Sequence, residues 1–288
     1  MTQSSALHSH MIKEIIKTSD VKAVDVSMVV NFHREGLYGH WMLTEFEQTR
    51  QHAQENGISV QLICVLDNPD EDTKSIVTNY KFIQAQDIIV CVSTGDLATN
   101  RNIGIELAQG EFIGTTDADD YLGRSWITNA YFLAKEYGAS VAVHPEYLIF
   151  FEEQYALIPG VDQRFIDFPL SGMTHVNPWG SRVIAHSAVF KSTPYRTTKS
   201  KITGYGFEDW QWNLEIISKG VAHICAPDTA LYYRRKKISL VNNEAGFHSI
   251  IRNSRFFENP EHWDTGFELI PELRALSNKI VPQVKIGK

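Results

Sequence analysis

The chain has 288 residues, 43% of them hydrophobic and 11% aromatic, enough to build one large core and to exclude an intrinsically disordered chain. Its 27 basic and 34 acidic residues give a formal net charge of −7, which argues against a general nucleic-acid binder, since such proteins need a basic surface. Cys64, Cys91 and Cys225 each sit in an apolar run and form no Cys-x-x-Cys pair, so they read as buried thiols in a reducing compartment rather than as a disulfide framework or a zinc site. No N-terminal apolar segment reads as a secretory leader, and no apolar stretch approaches the length of a membrane span. The expectation is a cytoplasmic protein, with peripheral contact at the inner face of a membrane left open.

Residues 1–20 are polar, with a short helical pattern around Met11 to Ile16, and read as an N-terminal extension. Val24 to Val30 reads as a buried strand, ended by the polar run Asn31-Phe32-His33-Arg34-Glu35-Gly36. Leu37 to Asn56 has helical spacing and Gly57 stops it. Val60 to Leu66 is a second strand, closed by the turn Asp67-Asn68-Pro69-Asp70. Thr73 to Phe82 is a helix and Asp87 to Val92 a third strand. Asn100 to Ala108 is a short helix closed by Gly110, and Phe112 to Thr116 is a fourth strand running into Asp117-Ala118-Asp119-Asp120. Strand and helix thus alternate, which predicts an α/β fold with a mostly parallel sheet flanked by helices. In such sheets ligands bind beyond the carboxyl ends of the strands. The polar groups Asn31 to Glu35, Asp67 to Asp70 and Asp117 to Asp120 all fall at those ends.

The second half is less regular. Ser125 to Tyr137 reads as a helix and Val141 to Phe151 as an aromatic-rich strand. Residues 158–182 are loop-rich, and Val183 to Phe190 reads as a strand. Gly204-Tyr205-Gly206-Phe207 is a flexible loop ahead of a helix from Glu208 to Lys219, ended by Gly220. Val221 to Cys225 and Ala230 to Tyr233 read as two short strands. Residues 241–288 are expected to form a C-terminal extension that packs on the domain or contacts a partner or membrane. They carry Phe247, Phe256, Phe257, Trp263 and Phe267.

Carboxylates separated by one residue can converge on one hard cation and leave its other positions to phosphate oxygens. On that reading Asp119 binds Mn²⁺ or Mg²⁺, and Asp117 supports the metal or hydrogen-bonds a ribose hydroxyl. The same run also reads as an acidic turn in which Asp120 or Ser125 caps the next helix. An Asp-x-Asp alone does not separate the two.

The surrounding residues do. Arg101-Asn102-Ile103-Gly104, then Ala108-Gln109-Gly110-Glu111, an apolar strand and Asp117-Ala118-Asp119-Asp120 resemble glycosyltransferase family 2, whose members share the GT-A fold. The pattern there is an Arg-Asn-x-Gly helix, Ala-x-Gly-Glu, a strand and Asp-x-Asp-Asp. The resemblance covers about residues 24–240. It implies a catalytic domain over 21–240, with a nucleotide-binding half at 21–124 and an acceptor-binding half at 125–240. It also implies nucleotide-sugar contacts from Asn31, His33 and Glu35 at the end of the first strand. Asp67 would bind the base, although Asn68-Pro69-Asp70 replaces the family's usual Gly-Ser or Asn-Ser. Arg101 would sit near the base and phosphates, where its fork suits phosphate oxygens.

Phe207-Glu208-Asp209-Trp210 resembles the family's Glu-Asp motif, which implies Asp209 as catalytic base, with Glu208 binding or orienting the acceptor. An inverting transfer needs one carboxylate to take the acceptor proton. Both residues also read as acidic groups favoured at a helix start. Asn177-Pro178-Trp179-Gly180-Ser181 resembles a segment lining the donor and acceptor site, with Trp179 a candidate for stacking on the sugar. Tyr232-Tyr233-Arg234-Arg235-Lys236-Lys237-Ile238-Ser239 resembles a loop over the diphosphate, with Arg234 among its donor contacts.

The resemblance therefore implies an inverting glycosyltransferase. It would use a UDP- or dTDP-sugar and a hydroxyl of a saccharide or glycolipid acceptor, in polysaccharide or glycolipid biosynthesis. Two other readings share the fold. A sugar-nucleotide-forming nucleotidyltransferase needs a Gly-rich loop with arginine and lysine after the first strand, and Arg34 to Gly39 has no lysine. A non-catalytic saccharide-binding module would not need both Asp119 and Asp209.

Overall fold

A computed structural model describes residues 9–19, 23–165, 170–237 and 239–258. Strand β1 (Ile12–Lys17) leads into β2 (Val24–Phe32), α1 (Leu37–Glu55), β3 (Val60–Asp67), α2 (Glu71–Thr78), β4 (Ile88–Val92), α3 (Leu97–Leu107) and β5 (Gly110–Asp117). Then come β6 (Tyr121–Leu122), α4 (Trp126–Tyr137), β7 (Val141–Glu152), β8 (Ala156–Pro159), β9 (Val183–His186), α5 (Ser187–Ser192), α6 (Ser200–Thr203) and α7 (Glu208–Ile217). The long strand β10 (Ala222–Arg235) and the short helices α8 (Leu240–Gly246) and α9 (Arg255–Glu258) follow.

All ten strands form one sheet in the order β1-β4-β3-β2-β5-β9-β7-β10-β6, with β8 on β7. The expected parallel unit is its heart: β2 pairs in parallel with both β3 and β5, and β3 with β4. Both faces are covered. Met42, Leu43, Phe46 and Trp126 pack on one face and Ile103, Val189, Trp212 and Ile216 on the other. That two-sided cover explains why β3 is buried along its whole length and reads as a nearly continuous apolar run.

Four elements differ from the sequence expectation, each for a local reason. Residues around Met11 to Ile16 form β1, antiparallel to β4, instead of a helix. A bulge between Ile12 and Glu14 reverses the side-chain alternation. Ile12 and Ile16, four apart as on a helix face, therefore pack on opposite faces of the sheet. The run Val183 to Phe190 divides into β9 and α5, because the His186 side chain accepts from the Ala188 N–H at 3.1 Å and starts a helix. The two short strands expected at 221–225 and 230–233 are one strand, β10, interrupted by an irregularity between Ala226 and Ala230 where Asp228 has φ +57. Helix α2 starts and ends earlier than Thr73 to Phe82, since Asp70 accepts from the Thr73 N–H and sets its start.

Phe256 of α9 is buried with Leu170, Met173, Trp179, Leu214 and Ile217 in a smaller third core, whereas Phe247 is exposed. Trp263 and Phe267 lie outside the described residues. The three cysteines are free and buried. No described helix is long and apolar enough to cross a membrane.

Candidate active site

The acidic run stands at the carboxyl end of β5, and parallel pairing sets Asp117 beside Asn31 at the end of β2. Helix α3 lies unusually close to these strands. A Cβ on Gly104 would stand 2.3 Å from Val29 Cγ1 and 3.1 Å from Val65 Cγ2. This close approach brings Arg101, one turn earlier, to the strand ends. Arg101 is 1% exposed and donates to Glu208 Oε1 at 2.5 Å and to Asp117 Oδ1 at 2.9 Å. Its guanidinium carbon lies 5.3 Å from the Tyr195 ring centroid. Two carboxylates, 16 and 107 residues away, thus each take one of its N–H groups, while its Nε has no hydrogen-bond partner among the described residues.

A second guanidinium, absent from the sequence reading, completes the network. Arg182 reaches Asp117 Oδ2 at 2.8 Å and also bonds the Asp120 carboxylate. It lies 4.5 Å over the Tyr233 ring. Ser181 Oγ adds a longer bond to Asp117 at 3.3 Å. Burial alone would raise Asp117, but Arg182 and Arg101 overcome it and hold the carboxyl at about 2. With both oxygens on these donors, Asp117 is the hub of a buried ion network rather than a metal ligand. Asp120 is no exposed helix cap: it is buried, accepts from the Arg234 N–H at 2.9 Å and receives Arg182.

Asp119 is different. It bonds neither Arg101 nor Arg182, and its one ion-pair partner among the described residues is the Lys236 ammonium. The Glu35 carboxyl is close enough that burial and the Asp119 charge together raise it. Glu35 Oε2 accepts the His33 N–H at 2.5 Å, and the exposed His33 ring bonds the Asp67 carbonyl at 2.5 Å. The run Tyr232 to Arg235 is not a loop but the end of β10. Arg234 is accordingly consumed by protein groups. It donates to the Asp119 carbonyl at 3.0 Å, bonds Glu152 and the Tyr121 hydroxyl, and lies 4.3 Å over Tyr38 and 4.6 Å over Phe151. Lys236, the first residue past the strand, is the cation on Asp119.

Asn31 and Asp67 also differ. Asn31 is buried, yet among the described residues neither its amide nitrogen nor its oxygen has a partner. An unpaired buried polar group costs about 1–3 kcal/mol. Asp67, by contrast, accepts from the Thr94 N–H at 2.8 Å, the Gly95 N–H at 3.0 Å and Asn68 Nδ2 at 2.8 Å. It fixes the loop after β4 through these backbone amides.

The second carboxylate pair opens α7. Glu208 is buried on Arg101, and burial, reinforced by the Asp209 and Glu244 charges, pushes it up to about 8 against the pull of Arg101. It orients the network and does not present itself to an acceptor. Asp209 is half-buried, with Asn177 Nδ2 at 3.2 Å and the Trp210 N–H at 2.8 Å. Asn177 is itself held by Asn213 at 2.8 Å. Each Asp209 oxygen thus accepts a single hydrogen bond among the described residues.

Trp179 is 2% exposed. Its indole donates to the Val161 carbonyl at 2.6 Å and stacks on His223 at 4.0 Å, so it supports the site from behind and is no platform for a sugar. His223 bonds His144 at 2.7 Å, and His144 bonds the Arg182 carbonyl at 3.0 Å.

No three His, Cys, Asp or Glu side chains converge as a metal cage among the described residues. A hard divalent cation nevertheless fits at Asp119. Mg²⁺ and Mn²⁺ are commonly held by one or two carboxylates with phosphate and water completing the shell, and the Lys236 ammonium shows that this carboxylate attracts a cation.

The model of Glycosyl transferase family 2 matches residues 46–166 of this chain. No curated protein matches it. Among solved structures, residues 1–349 of S. aureus TarS in complex with UDP-GlcNAc share 14% identity, a TM-score of 0.59, 88% of this chain and 70% of that one. The mannosyltransferase PcManGT from Pyrobaculum calidifontis, in complex with GDP-Man and Mn²⁺, shares 14% identity at a TM-score of 0.55, over 96% and 79% of the two chains. At these identities the likeness shows the fold, which is that of GT-A glycosyltransferases.

Proposed function

We propose that the chain, whose residues 46–166 match the model of glycosyl transferase family 2, is a member of that family and moves a sugar, with inversion, from a nucleoside-diphosphate sugar to a hydroxyl of a saccharide or glycolipid. The observation that carries this reading is the Asp117–Arg101–Glu208 bridge. It ties the strand end bearing Asp119 to the helix start bearing Asp209, and so joins a leaving-group end to a proton-accepting end. The two solved relatives bind UDP-GlcNAc and GDP-Man, in keeping with such a donor. A UDP- or dTDP-sugar is the first donor to test.

In this mechanism the unpaired amide of Asn31 hydrogen-bonds the donor, and Lys236 swings from Asp119 toward the departing diphosphate. A divalent cation at Asp119 supplies further charge neutralisation when bound. Asp209, steadied by Asn177, takes the proton from the acceptor hydroxyl as its oxygen attacks the anomeric carbon. The electron pair of the broken bond leaves with the nucleoside diphosphate. No second protein acid is required, because a diphosphate is a good leaving group once its charge is met.

General-base catalysis contributes about 10²–10⁴-fold. Asp209→Asn should therefore lower nucleoside-diphosphate release by about that factor and leave donor affinity within about twofold. Turnover near wild type in that variant would sink the base assignment. Pyrophosphate release from a nucleoside triphosphate would instead identify a nucleotidyltransferase.

A further inference from the structure

We propose that Glu244, outside the span of the family resemblance, is a positioning residue for the base: its carboxylate holds the loop that aims Asp209. The proposal rests on the reading of Asp209 as base.

Glu244 lies on α8 and is 2% exposed. Its Oε2 accepts the Phe207 N–H at 2.9 Å, while its Oε1 is buried without a hydrogen-bond partner among the described residues. Phe207 is the residue just before α7 and has φ +58 and ψ 59. That left-handed conformation costs an L-residue about 1–2 kcal/mol, and it persists only where the surroundings fix it. The surroundings are specific. A Cβ on Gly206 would stand 2.8 Å from Glu244 Cδ and 3.0 Å from Ser249 Cβ, so a side chain here would push the Glu244 carboxyl aside. The Gly206 N–H bonds the Ile250 carbonyl, and the Ile250 N–H bonds the Gly204 carbonyl, both at 3.0 Å.

The segment after β10 thus brackets the loop with two backbone bonds, and one buried side chain supplies the third. The left-handed Phe207 turns the chain sharply into α7, so Asp209, two residues on, takes its direction from this turn. Burial, together with Asp209 and Asp96, raises the Glu244 carboxyl. A buried carboxylate spent on one amide N–H is a costly way to hold a loop, which marks the position as functional rather than merely packed.

The test compares Glu244→Ala, Glu244→Gln and Glu244→Asp with Asp209→Asn. UDP-GlcNAc and GDP-mannose, each with Mn²⁺, serve as donor probes. Donor affinity is read by calorimetry, turnover by nucleoside-diphosphate release, and amide exchange over 207–211 by mass spectrometry. The glutamine keeps an acceptor oxygen for the Phe207 N–H, whereas the aspartate withdraws it by about 1.5 Å, one carbon–carbon bond. The expected result is a turnover loss of about tenfold or more in Glu244→Ala, with donor Kd within about twofold. Glu244→Gln should recover to within about threefold of wild type, and amide exchange should rise in the alanine and aspartate variants only. Where the alanine variant does not fold, the aspartate variant carries the same expectation.

Wild-type turnover in Glu244→Asp, a glutamine variant as poor as alanine, or donor affinity falling in step with turnover would each overturn the proposal. Undiminished turnover in Asp209→Asn would overturn the base assignment instead. Raised exchange in Glu244→Asp would then still show the bracket, but no longer a role in aiming the base.

Discussion

Arg101 and Arg182 each span two carboxylates in the interior, Asp117 with Glu208 and Asp117 with Asp120. Removing one partner from a buried ion network leaves uncompensated charge and costs about 3–5 kcal/mol. Arg101→Met should therefore lower folding stability by that order, read as a fall in the urea midpoint, while a variant of the exposed Lys237 should change it by less than about 0.5 kcal/mol. An unchanged midpoint in Arg101→Met would remove the network from the account. The acidic run was legible in the sequence because four adjacent residues announce it. Its cations were not: Arg182 lies 62 residues from Asp120, and nothing local distinguishes it from a surface arginine. The same limit explains Trp179 and Arg234, whose residue types suit a ligand but whose partners here are Val161, His223 and Glu152.

Helix α3 is the element that sets the site, and Gly104 is what lets it approach. In an open helix Gly→Ala stabilises by about 1 kcal/mol. Here the added methyl would meet Val29 at 2.3 Å, and overpacking of this kind typically costs about 1–3 kcal/mol. Gly104→Ala should thus destabilise, opposite in sign to the propensity rule, and should lower turnover by displacing Arg101. A more stable, fully active variant would show that the close packing is not needed. The four parallel strands were legible because burial on both faces makes each of them carry an apolar, largely β-branched run. Strand β1 and the joined β10 were not, since a bulge in one and the Pro227-Asp228 interruption in the other break the period on which such reading depends.

Across the whole molecule, one sheet runs through both the 21–124 and the 125–240 parts of the chain, and the helices that carry Arg101 and Asp209 pack against it. His144 and His223 form a buried pair against Trp179. Burial pushes His144 down to about 3 and His223 well below its ordinary value. The unfolded chain protonates both near 6.5, while the folded chain keeps them neutral. Their contribution is therefore fully present above about pH 6.5 and is lost as pH falls toward the folded values, by about 1.4 kcal/mol per pH unit for each histidine. A His144→Asn/His223→Phe variant should show a shallower fall of urea stability between pH 6.5 and 4.5. Parallel slopes would mean that the pair protonates without unfolding.

The central claim is that Asp119 and Asp209 divide the reaction, one at the leaving diphosphate and one at the acceptor proton. It is tested most directly by calorimetric titration of UDP-GlcNAc and GDP-mannose, with Mn²⁺ or with EDTA, into wild type, Asp119→Ala and Asp209→Asn. Mn²⁺-dependent binding of one donor is expected in wild type and Asp209→Asn, with a loss of about tenfold or more in Asp119→Ala. Binding that survives both EDTA and Asp119→Ala, or that disappears in Asp209→Asn, would contradict it.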